Sequence, residues 1–117
     1  ALKNKDISIY GDGSQTRTFC YIDDNIEATM AAFQHHQIVN DTVNIGSETE
    51  ISILDLAQLI IRLSNSKSRI VHLSAFKEGD MTRRKPDISK MKTLLTKDLL
   101  PLESGILKVL ENPHYLI

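Results

Sequence analysis

A glycine-rich turn between two strand patterns constrains this chain more than any other feature. Asp6 to Tyr10 alternates polar and apolar residues, with Ile7 and Ile9 on one face, which is a strand signature. Gly11-Asp12-Gly13 follows. Asp-Gly is a tight-turn dipeptide, because glycine accepts positive φ without a Cβ clash. Thr16 to Ile22 is rich in β-branched and aromatic residues and is expected to be extended. A polar strand carrying one arginine, Arg17, therefore leaves a glycine turn directly.

Helices and strands alternate after that point. Asp23-Asp24 offers an N-cap with acid at the positive end of a helix dipole. Ile26, Met30, Phe33 and Gln37 follow at helical spacing, and Ala28, Ala31 and Ala32 allow close approach. Thr42 to Ile45 is expected to be a short strand ended by Gly46. Ser52-Ile53-Leu54-Asp55 has the form of a capping box, with Asp in the usual Glu place. Ile53, Leu56, Ala57, Ile60 and Leu63 form an apolar stripe opposite Asp55, Gln58 and Arg62. Arg69 to Leu73 is a strand candidate, and Lys77 to Lys85 a charged loop. Pro86-Asp87 should start a helix over Ile88, Met91, Leu94 and Leu95, capped by Asp87. A last helix, Gly105 to Glu111, should stop near Pro113. The alternation points to an α/β class and one domain over residues 1–117.

Bulk composition narrows the function. The 117 residues are 41% hydrophobic and 25% charged, which suits a folded domain with a core. Net charge is −1, against a general nucleic-acid binder. The charge is uneven: Lys77 to Lys97 holds seven Lys/Arg and three Asp/Glu, a local +4, so the rest sums to −5. A local basic field can attract an anion. No apolar run approaches ~20 residues, so no membrane span is expected. The single cysteine, Cys20, fits a reducing, cytoplasmic setting and is expected to be a buried, inert thiol. The chain opens at Ala1-Leu2-Lys3 without a methionine, as if cut from a longer protein.

Two basic features could hold a phosphate. Arg17, in a β-rich segment beside a glycine turn, can present a rigid fork; the bland alternative is a solvated arginine. Arg83-Arg84-Lys85 is a second basic cluster, and such loop clusters are more often simply solvated. The Gly11-Asp12-Gly13 turn satisfies neither the Walker nor the Rossmann glycine spacing, and lacks the ligands of an EF-hand. His35-His36, His72 and His114 have no partners at metal spacing, so no metal site is expected.

These motifs together resemble a known family. Ile9-Tyr10-Gly11-Asp12-Gly13-Ser14-Gln15-Thr16-Arg17-Thr18-Phe19, then Tyr21-Ile22-Asp23-Asp24, Val43-Asn44-Ile45-Gly46, Ile53-Leu54-Asp55-Leu56-Ala57 and Arg83-Arg84-Lys85-Pro86-Asp87-Ile88-Ser89-Lys90 carry the likeness. They resemble the C-terminal part of the nucleotide-sugar enzymes of the extended short-chain dehydrogenase/reductase family, the NAD-dependent epimerases and dehydratases. The resemblance runs in register from Ala1 to about Lys97 and more loosely to Tyr115. The nearest subgroup looks like the one that decarboxylates UDP-glucuronate to UDP-xylose; dTDP-glucose dehydratases and UDP-sugar epimerases are further away.

The resemblance implies a fold and a site. The fold is the substrate-binding C-terminal part of an extended Rossmann-type enzyme, lacking the cofactor-binding N-terminal half. Arg17 falls on the family's phosphate-binding arginine, and Tyr10 and Gln15 fall near the base and ribose. Arg84 falls on the arginine that points to the diphosphate and sugar carboxylate in decarboxylases. Arg83 is a further substrate-binding candidate, although neighbouring side chains cannot both point inward. Two departures stand out. Lys77-Glu78-Gly79-Asp80 replaces the Arg-Pro-Gly of epimerases and dehydratases, a change shared with decarboxylases. Thr96 to Pro101 lacks the family's Gly-Trp-x-Pro.

The family chemistry uses a tightly held NAD, a glycine-rich loop and a Tyr-x-x-x-Lys pair. None of these occurs here, so no catalytic or cofactor-binding residue is expected in this chain. The whole enzyme would oxidise the sugar at C4, lose CO2 from the β-keto acid and reduce the ketone back. It would be a homodimer, and this chain alone would be inactive. The rival from another class is a non-catalytic interaction module that reuses the fold.

Overall fold

The computed structural model describes residues 1–36, 38–75 and 81–112. Its elements in order are β1 (Ile7–Tyr10), β2 (Thr16–Thr18), α1 (Ile22–Gln34), β3 (Glu50–Ser52), α2 (Ile53–Leu63), β4 (Ile70–Leu73), α3 (Ser89–Leu94) and α4 (Leu102–Glu111). β1 pairs with β4 in parallel, Ile7 opposite Ile70 and Tyr10 opposite Leu73. β2 pairs with β3 antiparallel, Arg17 opposite Ile51. Ile9 on β1 is buried, as the alternation requires.

The α2 helix forms as its sequence dictates. The Ser52 hydroxyl accepts from Asp55 N at 3.0 Å and donates to Asp55 Oδ2 at 2.6 Å. Asp is one methylene shorter than Glu, and here its carboxylate takes the Ser52 hydroxyl. Ala57 is buried, while Asp55, Gln58 and Arg62 lie exposed.

The first helix departs from expectation. Tyr21 is the N-cap of α1, without a side-chain hydrogen bond, so Asp23 and Asp24 lie inside the first turn. Asp24 is buried and bonds across the molecule instead: it accepts from Leu100 N at 2.7 Å and pairs with Lys97 Nζ at 3.2 Å. The buried side of α1 carries Ala28, which packs with Ile88 and Met91 of the α3 region. The Ile26, Met30 and Phe33 stripe faces outward, with Phe33 85% exposed. Gln37 lies outside the described residues.

Thr42 to Ile45 forms no strand. Val43 and Ile45 pack on the Ala28–Ile88–Met91 cluster, and Asn44 Nδ2 donates to Asp87 O at 3.1 Å. Asn40 is left-handed at φ 54, and Thr42 N donates to Asp41 Oδ1 at 2.7 Å, so local side-chain bonding displaces a ladder. Helix α3 starts one residue later than expected. Asp87 does not cap it; Ile88 holds the N-cap position, and Asp87 Oδ1 accepts from Ser89 N at 2.9 Å and Ser89 Oγ at 2.7 Å. Helix α4 starts earlier than expected, immediately after Pro101. Gly105 sits inside it, because a Cβ there would meet the Tyr21 ring at 3.2 Å. The expected stop at Pro113 and the Lys77–Asp80 run lie outside the described residues.

Candidate anion-binding site

The glycine turn is built against the start of α2. Gly11 and Gly13 have φ of 72° and 80°, the left-handed region that favours glycine. Asp12 Oδ1 accepts from Ser14 N at 2.9 Å and Ser14 Oγ at 2.7 Å, and these bonds hold its carboxyl below the usual range. Leu54 N donates to Gly13 O at 3.1 Å, and Ile53 N to Gln15 O at 3.0 Å. Gln15 Nε2 in turn donates to Tyr10 O at 3.2 Å, so the two expected nucleotide contacts are neighbours. Tyr10 is exposed and Gln15 half-buried.

The turn is a poor cradle for a dinucleotide. A Cβ on Gly13 would meet Leu54 Cβ at 3.0 Å and Ile9 Cγ2 at 3.2 Å. Gly11 N already donates to Leu73 O at 2.9 Å. Gly13 is therefore a packing glycine, set against Leu54 and Ile9.

β2 brings the two basic features together. Thr16 N donates to Thr82 O at 2.8 Å, and Thr16 forms a parallel bridge with Arg83. Arg17 is half-buried, and its Nη1 donates to Thr16 O at 2.7 Å. Arg84 is exposed, with Nη2 4.0 Å from Met81 Sδ. Tyr10, Gln15, Arg17, Arg83 and Arg84 thus belong to one region, the turn, β2 and the chain bridged to it.

One residue at its centre was not anticipated. Glu50 Oε1 accepts from Thr16 Oγ1 at 2.9 Å and Arg83 Nε at 2.8 Å, and Oε2 accepts from Arg83 Nη2 at 2.7 Å. Lys85 Nζ stands 3.9 Å from Oε2. Arg83 first, then Thr16, depress the Glu50 carboxyl to about 2. The bidentate fork of Arg83 is therefore occupied by protein. Thr16, Thr18, Glu50 and Ser52 share one face of the β2–β3 ribbon by register, and Arg17 and Ile51 share the other.

Two cavities flank this region without matching its chemistry. One of about 470 Å³ is lined by Glu48, Arg83, Lys85, Pro86 and Asp87, two acids against two bases. The other, about 300 Å³, is apolar, lined by Phe19, Tyr21, Ile60, Leu100, Ile106 and Leu110 among others. Cys20 also borders it and is half-buried, not fully buried as expected; burial, then Asp24, raises its thiol pKa. Among the described residues no three His, Cys, Asp or Glu side chains gather as a metal site. No helix among them is long and apolar enough to cross a membrane.

Residues 1–46 match the NAD dependent epimerase/dehydratase family. The family resemblance carried by the glycine turn and the arginines is borne out. Over 99 residues the chain is 42% identical to the UDP-N-acetyl-alpha-D-glucosaminuronate decarboxylase of Bacillus cytotoxicus, covering 80% of this chain and 30% of that protein. Over 116 residues it is 39% identical to UDP-glucuronic acid decarboxylase 1 of Xenopus tropicalis, covering 98% of this chain and 26% of that one. The solved UDP-glucuronic acid 4-epimerase of Bacillus cereus, in complex with UDP-glucuronic acid and NAD, matches with a TM-score of 0.77 at 35% identity, over 92% of this chain and 34% of that one. The α/β class and the Rossmann-type likeness are borne out too. The chain spans between 26% and 34% of the length of these relatives.

Proposed function

We propose that this chain is the substrate-binding part of an NAD-dependent nucleotide-sugar enzyme that removes the carboxyl of a UDP-hexuronate as CO2. UDP-glucuronate is the expected substrate. The observation that carries this reading is the Thr16–Arg83 bridge, which brings the chain bearing Arg84 beside the strand bearing Arg17. Along an extended chain, side chains alternate. With Thr16 and Arg83 turned to Glu50, Arg17 and Arg84 fall to the opposite face, where two guanidinium forks can hold one diphosphate. Tyr10 and Gln15, at the mouth of the turn, are suited to the base and ribose. Arg83 serves this site from behind, through its pair with Glu50. In this reading NAD and the chemistry at the sugar belong to the rest of the protein.

Exposed apolar surface supports a larger assembly. Ile22, Ile26, Met30 and Phe33 make an outward face on α1. Among the described residues the buried apolar side chains are Ile9, Ala28, Ala57, Ile88 and Met91, a thin core for 117 residues. The α1 face is suited to pack on an N-terminal Rossmann half, within a cytoplasmic homodimer. An epimerase acting on the same UDP-hexuronate is the second reading, favoured by the 35% identical Bacillus cereus structure. The decarboxylases, at 42% and 39%, favour the first.

Affinities of UDP, UDP-glucose and UDP-glucuronate for the native protein test the site. Arg17→Ala should weaken all three alike, because its partner is the diphosphate. A charge-assisted pair is worth roughly 1.5–3 kcal/mol, or about tenfold to a hundredfold in affinity. Arg84→Ala should harm UDP-glucuronate more than UDP-glucose, since it also meets the carboxylate. Unchanged UDP binding in Arg17→Ala would remove that assignment. Equal losses for both sugars in Arg84→Ala would make it a phosphate ligand alone.

A further inference from the structure

We propose that Glu50 is a positioning residue of this site, the anchor that sets Arg84 against Arg17; the inference rests on the UDP-sugar reading above. Glu50 touches two stretches of chain far from it in sequence, β2 and residues 83–85. Its carboxylate takes the Thr16 hydroxyl on β2, both fork nitrogens of Arg83, and the charge of Lys85 at 3.9 Å. Among the described residues the backbone tie between β2 and this segment is one isolated parallel bridge, Thr16 to Arg83, with Thr16 N donating to Thr82 O at 2.8 Å. An isolated bridge holds register weakly, and a bidentate pair on Arg83 reinforces it. The side chains of residues 81–85 are otherwise exposed, so little apolar packing holds them in place.

The same contact decides which arginine meets the ligand. Arg83 has both its Nε and Nη2 donors on Glu50, so its charge is compensated and its fork is turned away. The next residue, Arg84, then projects to the face of Arg17. Without the carboxylate, Arg83 would be released beside a diphosphate site and Arg84 would lose its register. A glutamine at position 50 keeps the size but accepts through one oxygen only, so the bidentate pair cannot form.

Calorimetric titration of UDP into the native protein tests the inference. Glu50→Gln should raise Kd about tenfold, and Arg83→Gln, an exposed change that breaks the same pair from the other side, should match it. The decisive variant is Glu50→Gln with Arg84→Ala. If Glu50 acts through Arg84, the double variant binds UDP within about twofold of Arg84→Ala alone. Glu50→Asp, which keeps the charge on a shorter arm, should recover part of the loss. Penalties that multiply in the double variant, or Kd within about twofold of wild type in Glu50→Gln and Arg83→Gln, overturn the inference. A wild-type protein that fails to bind UDP overturns the UDP-sugar reading itself, and this inference with it. Wild-type binding with an unaffected Glu50→Gln overturns this inference alone.

Discussion

Replacing Gly13 by alanine should damage this protein far more than replacing Gly11, although both glycines are left-handed in one turn. At Gly13 φ is +80°, and a Cβ would lie 3.0 Å from Leu54 Cβ, 3.2 Å from Leu54 N and 3.2 Å from Ile9 Cγ2. Leu54 sits in the first turn of α2 and Ile9 is 2% exposed, so neither can retreat cheaply. At Gly11 φ is +72°, but the added Cβ meets Ala75 Cβ at an ordinary 3.5 Å. The left-handed strain is shared, about 1–2 kcal/mol for an L residue. Alanine returns ~0.4–1 kcal/mol by restricting the unfolded chain. Gly13→Ala adds overpacking of about 1–3 kcal/mol. The net expectation is about 0–1.5 kcal/mol for Gly11→Ala and about 1–4.5 kcal/mol for Gly13→Ala. Urea unfolding of both variants in the native protein measures the difference as a shift in midpoint at constant slope. A Gly13→Ala variant no less stable than Gly11→Ala would refute the packed-turn reasoning.

Other residues give independent tests. Glu50 has a folded pKa of about 2 against an ordinary 4.5, so its pair stabilises the fold above about 4.5 and the contribution is lost as pH falls toward 2. Thermal melting across that range should therefore be less pH-dependent in Glu50→Gln than in wild type; parallel curves would contradict the sign. Met91 is fully buried against Ala28 and Ile88, so Met91→Ala should cost about 2–5 kcal/mol in urea unfolding. A cost typical of a surface site would dismiss the cluster as the core. The isolated chain should self-associate in light scattering through Ile26, Met30 and Phe33, and Phe33→Ser should reduce this; a monomer at all concentrations would count against a covered α1 face.

Local chemistry made much of the fold legible. The Ser52–Asp55 cap, the α2 stripe and the β1 alternation are written in neighbouring residues, and each formed where expected. The outward face of α1 was legible once the family resemblance implied an absent Rossmann half: Ile26, Met30 and Phe33 are exposed, and Ala28 is the buried apolar residue of the helix. Asp24 looked like a cap because its partners, Leu100 and Lys97, lie more than seventy residues away along the chain. Thr42 to Ile45 has strand composition, but a strand needs a partner edge, and among the described residues nothing pairs with it. Glu50 was hidden for the same reason as Asp24. Its chemistry depends on Thr16 and Arg83, which only strand pairing brings near. Local patterns reveal an element's type; long-range partners decide which polar residue does what.

The central claim is tested most directly by supplying UDP-glucuronate and NAD to the native protein and measuring CO2 and nucleotide sugar together. The account predicts CO2 in equal amount to UDP-xylose formed, and none from residues 1–117 alone. Formation of the C4 epimer with no loss of CO2 would contradict the decarboxylase reading, and UDP-glucuronate left unchanged would contradict its assignment as the substrate.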